Sequence, residues 1–227
     1  MINTYGSRAE EGFFLRPALS LAPDLLGRVL INTSTDGTVA LRITEVEAYV
    51  GSADPGSHAF RGRTQRNATM FRSGGHLYCY FIYGMHFSIN IVADRAGCGT
   101  GVLIRSGEIL EGTDLAGQRR MARRTTPVAQ RLLASGPGNL AQALGADRSD
   151  DGADLLSPGP WHLRMGINHP DRRLVRHGPR VGVGGEGGDP EVFPWRFWLE
   201  GDPTVSQFRP GRDIRPASRW AIGPRPQ

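Results

Sequence analysis

Two stretches of the chain bring together residue types able to do chemistry. The run Glu45-Val46-Glu47-Ala48-Tyr49 sets two carboxylates and a phenol at alternate positions. In a regular strand these would continue the face begun by Val39, Leu41 and Ile43. A carboxylate at the end of an apolar stripe is costly to bury unless it is paired or at work on a substrate. Held there, it can take a proton from water or oppose a developing positive charge. The pattern equally fits a stripe that runs out into solvent, and it does not choose between Glu45 and Glu47. Arg105 ends the apolar run Val102-Leu103-Ile104. A guanidinium in that place wants a carboxylate or a phosphate.

Further groups suit a nucleic acid. Tyr78, Tyr80 and Tyr83 are interleaved with Phe81, and Phe87 follows shortly after. Tyr83 precedes Gly84, where the chain can bend and present a ring to stack on a base or wedge into a duplex. The alternative is an aromatic core whose hydroxyls are satisfied locally. The loop Arg61-Gly62-Arg63-Thr64-Gln65-Arg66-Asn67 is basic, with hydroxyl and amide donors fitted to phosphate contacts, or else a solvated surface loop. His58 can act as a base, a ligand or a stacking partner. No second ligand stands at metal spacing, so no metal is expected. A carboxylate, an arginine, stacked aromatics and a basic rim together point to nucleic acid.

The elements that must position these residues belong to a 227-residue chain with 27 basic and 22 acidic residues, a net charge of +5. Every one of the 27 basic residues is arginine; the chain has no lysine. A P-loop, a pyridoxal-phosphate site and a Schiff-base lyase all need a lysine amine, so none can be built here, apart from a role for the terminal amine. Cys79 and Cys98 form no CxxC pair, and no cofactor is expected. The first residues lack a secretory pattern. The longest apolar stretch, Leu77 to Val92, is interrupted by Gly84, His86, Ser88 and Asn90. A soluble, cytoplasmic, monomeric protein with no membrane contact is expected.

The patterning predicts an α+β domain over 1–206 around a curved, largely antiparallel sheet, with an arginine- and proline-rich tail over 207–227 held loosely. A short helix is predicted near Pro23–Leu26, with Gly27 as its stop. Strands are predicted over Arg28–Ser34 and Thr38–Val50, joined at Asp36-Gly37. Two runs, His76–Tyr83 and Met85–Ala93, flank Gly84. A further strand is predicted over Thr100–Arg105. Helices are predicted over Asp114–Arg123, Val128–Leu133 and Asn139–Leu144. The span 146–179 reads as mostly loop, and Arg180–Gly184 and Arg196–Leu199 read as closing strands.

Placed in order, Glu47-Ala48-Tyr49, Asp54, His58, Thr64, Arg66-Asn67, Met70-Phe71, Tyr78, Tyr80, Tyr83-Gly84-Met85, Asn90, Arg105, Leu110-Glu111-Gly112, Ser135-Gly136-Pro137 and Arg180-Val181-Gly182 strongly resemble the alkyladenine type of 3-methyladenine DNA glycosylase. The resemblance spans Leu19 to Pro203. It implies a mixed α/β fold with a β-hairpin that enters the DNA minor groove, and release of damaged purines from double-stranded DNA without strand cleavage. By position it implies Glu47 as the base that activates water, with Arg105 and the Val181 carbonyl also positioning that water. Tyr49, His58 and Tyr80 would sandwich the flipped base, and Asn90 would disfavour the 2-amino group of guanine. Tyr83, with Met85 beside it, would occupy the gap in the duplex, and Arg63, Thr64 and Arg66 would meet phosphates. Two departures bear on substrate range: Gly138-Asn139 stands where relatives often carry lysine, and Gly56 is expected to loosen the pocket wall.

Overall fold

A long strand forms the spine of the molecule. In the computed structural model, which describes residues 4–82, 84, 86–122 and 124–216, β2 runs from Gly37 to Val50. β1 (Val29–Ser34) folds back on its first half, and β8 (Arg196–Leu199) pairs with Glu45–Glu47 farther along. Against the other edge of β2 lies β5 (Thr100–Glu111), followed by β4 (His86–Ala93) and β3 (Leu77–Ile82). β6 (Trp161–Arg164) extends the sheet beyond β1, and β7 (Val175–Gly178) pairs with β8. All eight strands are antiparallel to their neighbours, the α+β architecture expected.

Helices cover one face. α2 (Ala18–Leu25) and α4 (Pro137–Leu144) bury Leu21, Leu25, Leu140 and Leu144 against Leu41, Ile43, Ile91 and Ile104. α1 (Glu11–Phe14) inserts Phe14 into the same core, and α3 (Thr113–Met121) packs beside α4. Pro23 lies inside α2 rather than at its start. A proline in a helix interior costs about 3 kcal/mol. Burial of Leu21 and Leu25, about 1.5–3 kcal/mol each, offsets that loss. Among the described residues no helix is long and apolar enough to cross a membrane.

The sequence pattern misplaces several elements. Of the helix predicted over Val128–Leu133 there is a single 3-10 turn at Gln130–Leu132. The presumed loop 146–179 contains β6 and β7, each four residues, too short to show a period. Arg180–Gly184 is not a strand; the pairing segment is the preceding Val175–Gly178. Of the tail expected to be held loosely, residues 217–227 lie outside the described residues, and residues 209–215 are held by backbone hydrogen bonds. The carbonyls of Arg209, Arg212 and Asp213 accept from the amides of Gly182 and Gly185, and the Arg215 amide donates to Gly185.

The most consequential difference lies in β2. Ile43 is opposite Gly107 and Glu45 is opposite Ser106, so Thr44 is an extra residue on β2. Val46 is opposite Ile104, which leaves Arg105 extra on β5. A bulge residue inverts the alternation that follows it. Val39, Leu41 and Ile43 face the helices, and past the bulge Val46 and Ala48 do so. Glu45, Glu47 and Tyr49 therefore point to the opposite face, not along the apolar stripe. Thr44 itself is buried, its hydroxyl 2.8 Å from that of Thr204.

Candidate active site

The face turned away from the helices carries one row of side chains across five strands. Tyr78 is opposite Asn90, Asn90 opposite Leu103, Leu103 opposite Glu47, and Glu47 opposite Arg196. Residues directly opposite in antiparallel strands share a face. Over this row folds the segment from 51 to 75, anchored by Ala59 and Met70 against Tyr78 and Val92.

Glu45 and Glu47 are both completely buried. Arg105 joins them: its Nε lies 3.1 Å from Glu45 Oε1 and its Nη1 3.3 Å from Glu47 Oε1. The bulge on β5 aims the guanidinium between the two carboxylates. Glu45 is surrounded by further donors: Arg196 Nε at 2.6 Å, the Ser106 hydroxyl at 2.7 Å, and the Ser206 amide and hydroxyl at 2.8 and 2.9 Å. Burial alone would raise its pKa, but Arg105 and Arg196, with the Ser206 and Ser106 donors, outweigh it and hold the carboxyl below the usual range.

Glu47 is less enclosed by partners. Besides Arg105, its Oε1 accepts from the Val181 amide at 2.6 Å and its Oε2 from the Tyr49 hydroxyl at 2.9 Å. Thus the amide of Val181 makes the contact with Glu47. Burial, then the Glu47 charge, pushes the Tyr49 phenol well above its ordinary pKa, so it stays a donor. Arg105 keeps its own charge: burial opposes it, and Glu47 and Glu45 more than compensate.

Beside this pair lies a cavity of about 60 Å³ lined by Tyr49, Gly56, His58, Met70, Tyr78, Tyr80 and Asn90. All four residues predicted to form the base pocket are among them. His58 meets Tyr80 edge to face, ring centres 4.5 Å apart, and Tyr78 stacks on Tyr80 at 5.1 Å. Burial, followed by the charge of Arg66, lowers the His58 pKa, which keeps the imidazole neutral at pH 7. Asn90 donates from Nδ2 to the Tyr78 carbonyl at 3.2 Å, fixing its amide at the cavity wall.

The wall behind Tyr49 is tight. Arg180 makes a two-pronged contact with Asp54, at 2.6 and 2.7 Å, and both side chains are fully buried. Its guanidinium lies 4.5 Å from the centre of the Tyr49 ring. A Cβ on Gly56 would come within 2.6 Å of Arg180 Nη2. Gly56 therefore permits this close approach rather than loosening the wall.

Arg63, Thr64 and Arg66 are exposed on one loop, as phosphate contacts require. Asn67 shapes that loop: its Oδ1 accepts from the Thr64 amide at 2.6 Å, and its Nδ2 donates to the carbonyls of His58 and Gly62. Tyr83 and Met85 lie outside the described residues; Gly84 between them has φ of +68°. Sequence reasoning gave no role to Arg196, Ser206, Met70 or the Asp54–Arg180 pair. Arg196, an arginine within Trp195–Leu199, carried the same signal as Arg105. Ser206 carried none. Among the described residues no group of three or more His, Cys, Asp or Glu could hold a metal ion.

The family described as Methylpurine-DNA glycosylase matches residues 12–203. A Streptomyces avermitilis protein named "Putative 3-methyladenine DNA glycosylase" is 53% identical over 199 residues, covering 87% of this chain and 90% of that one. Proteins of the same name are 51% identical over 197 residues in Leifsonia xyli subsp. xyli (86% of this chain, 90% of that one) and 40% over 199 residues in Methanocella arvoryzae (88% and 96%).

Proposed function

The chain belongs to the methylpurine-DNA glycosylase family, and from that membership and the geometry of the cavity we propose that it flips damaged purines out of duplex DNA and hydrolyses their N-glycosidic bond, initiating base excision repair. The observation that carries this reading is Glu47: a buried carboxylate, held by Tyr49, Arg105 and the Val181 amide, beside a cavity walled with aromatic rings.

Flipping costs a few kcal/mol, least for damaged or mispaired bases. Tyr83 in the vacated space, with Met85 beside it, recovers part of that cost. The extruded base lies between Tyr49 on one side and His58 with Tyr80 on the other. A neutral His58 sets no like charge against a cationic alkylated purine. Asn90 disfavours an added 2-amino group, and Arg63, Thr64 and Arg66 hold the backbone.

Glycosidic cleavage develops positive charge on the sugar. Glu47 opposes that charge and takes a proton from the attacking water; Arg105 and the Val181 carbonyl complete the water's surroundings. A cationic purine leaves without acid help, whereas a neutral base such as hypoxanthine needs a proton. Strand cleavage is not part of the reaction, since no lysine is present to form an imine with the abasic sugar.

The test is base release from a duplex carrying 3-methyladenine or hypoxanthine. Wild-type protein should free the base and leave a strand that breaks only on heating or in alkali. Glu47→Gln should bind the duplex and release nothing. Release by the Glu47→Gln protein at the wild-type rate would overturn the assignment.

A further inference from the structure

A second, larger cavity opens beside the tip of the β3–β4 hairpin, on the side of α3 and α4. It measures about 380 Å³, and its wall includes His86, Arg120, Arg124, Asn139 and Gln142. Among the described residues it shares none with the base cavity, and no acidic side chain lines it.

Its cations lack counter-charges. Arg120 is 97% buried from solvent, being only 3% exposed, and its Nη1 donates to Gln142 Oε1 at 2.5 Å. Its Nε is buried with no hydrogen-bond partner. Among the described residues neither Arg120 nor Arg124 forms an ion pair. Burial and then the charge of Arg124 both lower the Arg120 pKa, as expected of two guanidiniums with nothing negative between them. Buried charges are ordinarily paired, so an unpaired one signals a missing anion.

The helix beside them points the same way. α4 begins at this cavity, with Pro137 in its first turn and no side chain capping it at Gly136. The amides of Gly138 and Asn139 stand in that first turn, where unsatisfied N–H groups and the helix dipole favour an anion. A Cβ on Gly138 would lie 3.1 Å from His86 Cγ, so glycine is what lets the His86 ring rest on the start of the helix.

We propose that this cavity binds phosphate, and that the phosphate is one of the DNA backbone beside the lesion. This rests on the reading that the substrate is duplex DNA. His86 is the first residue of β4, two positions after Gly84, so a duplex that meets the tip of the hairpin passes the mouth of the cavity. Two arginine forks and a helix N-terminus match the oxygens of a phosphodiester.

Two variants test it while sparing the buried Arg120. Arg124→Ala removes an exposed cation. Asn139→Asp puts a carboxylate in the first turn of α4, where the dipole favours it, so the helix is retained while an anion is repelled. Affinity for an undamaged duplex is measured by fluorescence anisotropy across a salt series. Each variant should flatten the slope of log affinity against log salt by up to about one unit; Arg124→Ala should leave the melting temperature unchanged, whereas Asn139→Asp also loses the hydrogen bond from Nδ2 to the Ser135 carbonyl and its melting temperature is read alongside. In a second arm, inorganic phosphate is titrated into wild-type protein and the Gly138 and Asn139 amide resonances are followed. They should move with phosphate and with duplex, and Asn139→Asp should abolish the phosphate response. Unchanged slopes in both variants would overturn the proposal; if phosphate still moved the amides, the cavity would belong to a free phosphate compound instead. Failure of wild-type protein to release any damaged base would overturn the glycosylase reading and leave the slopes and amide shifts to be judged by themselves.

Discussion

Glu45 and Glu47 are two residues apart, equally buried and joined through one guanidinium, yet their surroundings give them different work. Glu45 is saturated by two arginines and two serines and has a structural role. Replacing it with glutamine leaves Arg105 and Arg196 without their shared carboxylate; loss of one partner of a buried ion pair costs about 3–5 kcal/mol. Glu45→Gln should therefore lower the melting temperature markedly, whereas Glu47→Gln should hold it near wild type and lose base release. Equal melting temperatures for the two would contradict this division. Acid should probe Glu45 as well. Its folded pKa is depressed, so the stability it contributes is full above the unfolded value of about 4.3 and is lost as pH falls through the lower folded value. Acid denaturation curves should show that Glu45→Gln is less sensitive to pH below about 4.3 than wild type.

At the scale of elements, the paired irregularities at Thr44 and Arg105 decide what the central strands present. With Thr44 in regular alternation Glu47 and Tyr49 would face the helices. Deleting Thr44 joins Ile43 directly to Glu45 in unbroken alternation, so the shortened chain should fold with Glu45, Glu47 and Tyr49 still turned away from the helices, as base release and circular dichroism would show. Thr44→Val keeps the residue count and removes the hydrogen bond to Thr204, whose hydroxyl retains Asp202 as partner. That change should cost about 1 kcal/mol, read by urea denaturation, with base release intact. A second element acts from outside the sheet. Residues 209–215 hold Gly182 and Gly185 by backbone hydrogen bonds, next to the Val181 amide that binds Glu47. A chain ending at Gln207 should keep the sheet and show reduced turnover on a damaged duplex; full turnover would show that the loop holds its shape unaided.

At the scale of the whole molecule, the two faces of the sheet do separate jobs. One is closed by helices and supplies the core; the other carries the base cavity beneath the 51–75 segment. The 61–67 loop beside the base cavity and the Arg120–Arg124 cavity on the helical side take their positive charge from arginine. Borohydride reduction of the protein on a damaged duplex should give no covalent adduct, since no side-chain amine is available; a strong adduct would exclude a purely hydrolytic reaction.

What the sequence determined by itself was chemistry carried by residue type and order. The lack of lysine left no side-chain amine to form an imine. The alternation and turn residues of 28–50 and 76–93 located two hairpins, and the ordered motif from Glu47 to Gly182 pointed to the family and to four of the residues that line the cavity. The tertiary structure alone decided the face on which those residues stand, because one unpaired residue at Thr44 inverts an alternation that looks unbroken in the sequence. It alone separated Glu45 from Glu47, since their partners, Arg196 and Ser206 for one and Val181 for the other, lie more than 130 positions away. It also showed β6 and β7, whose four residues are too few to carry a period and whose pairing depends on strands far off in the chain.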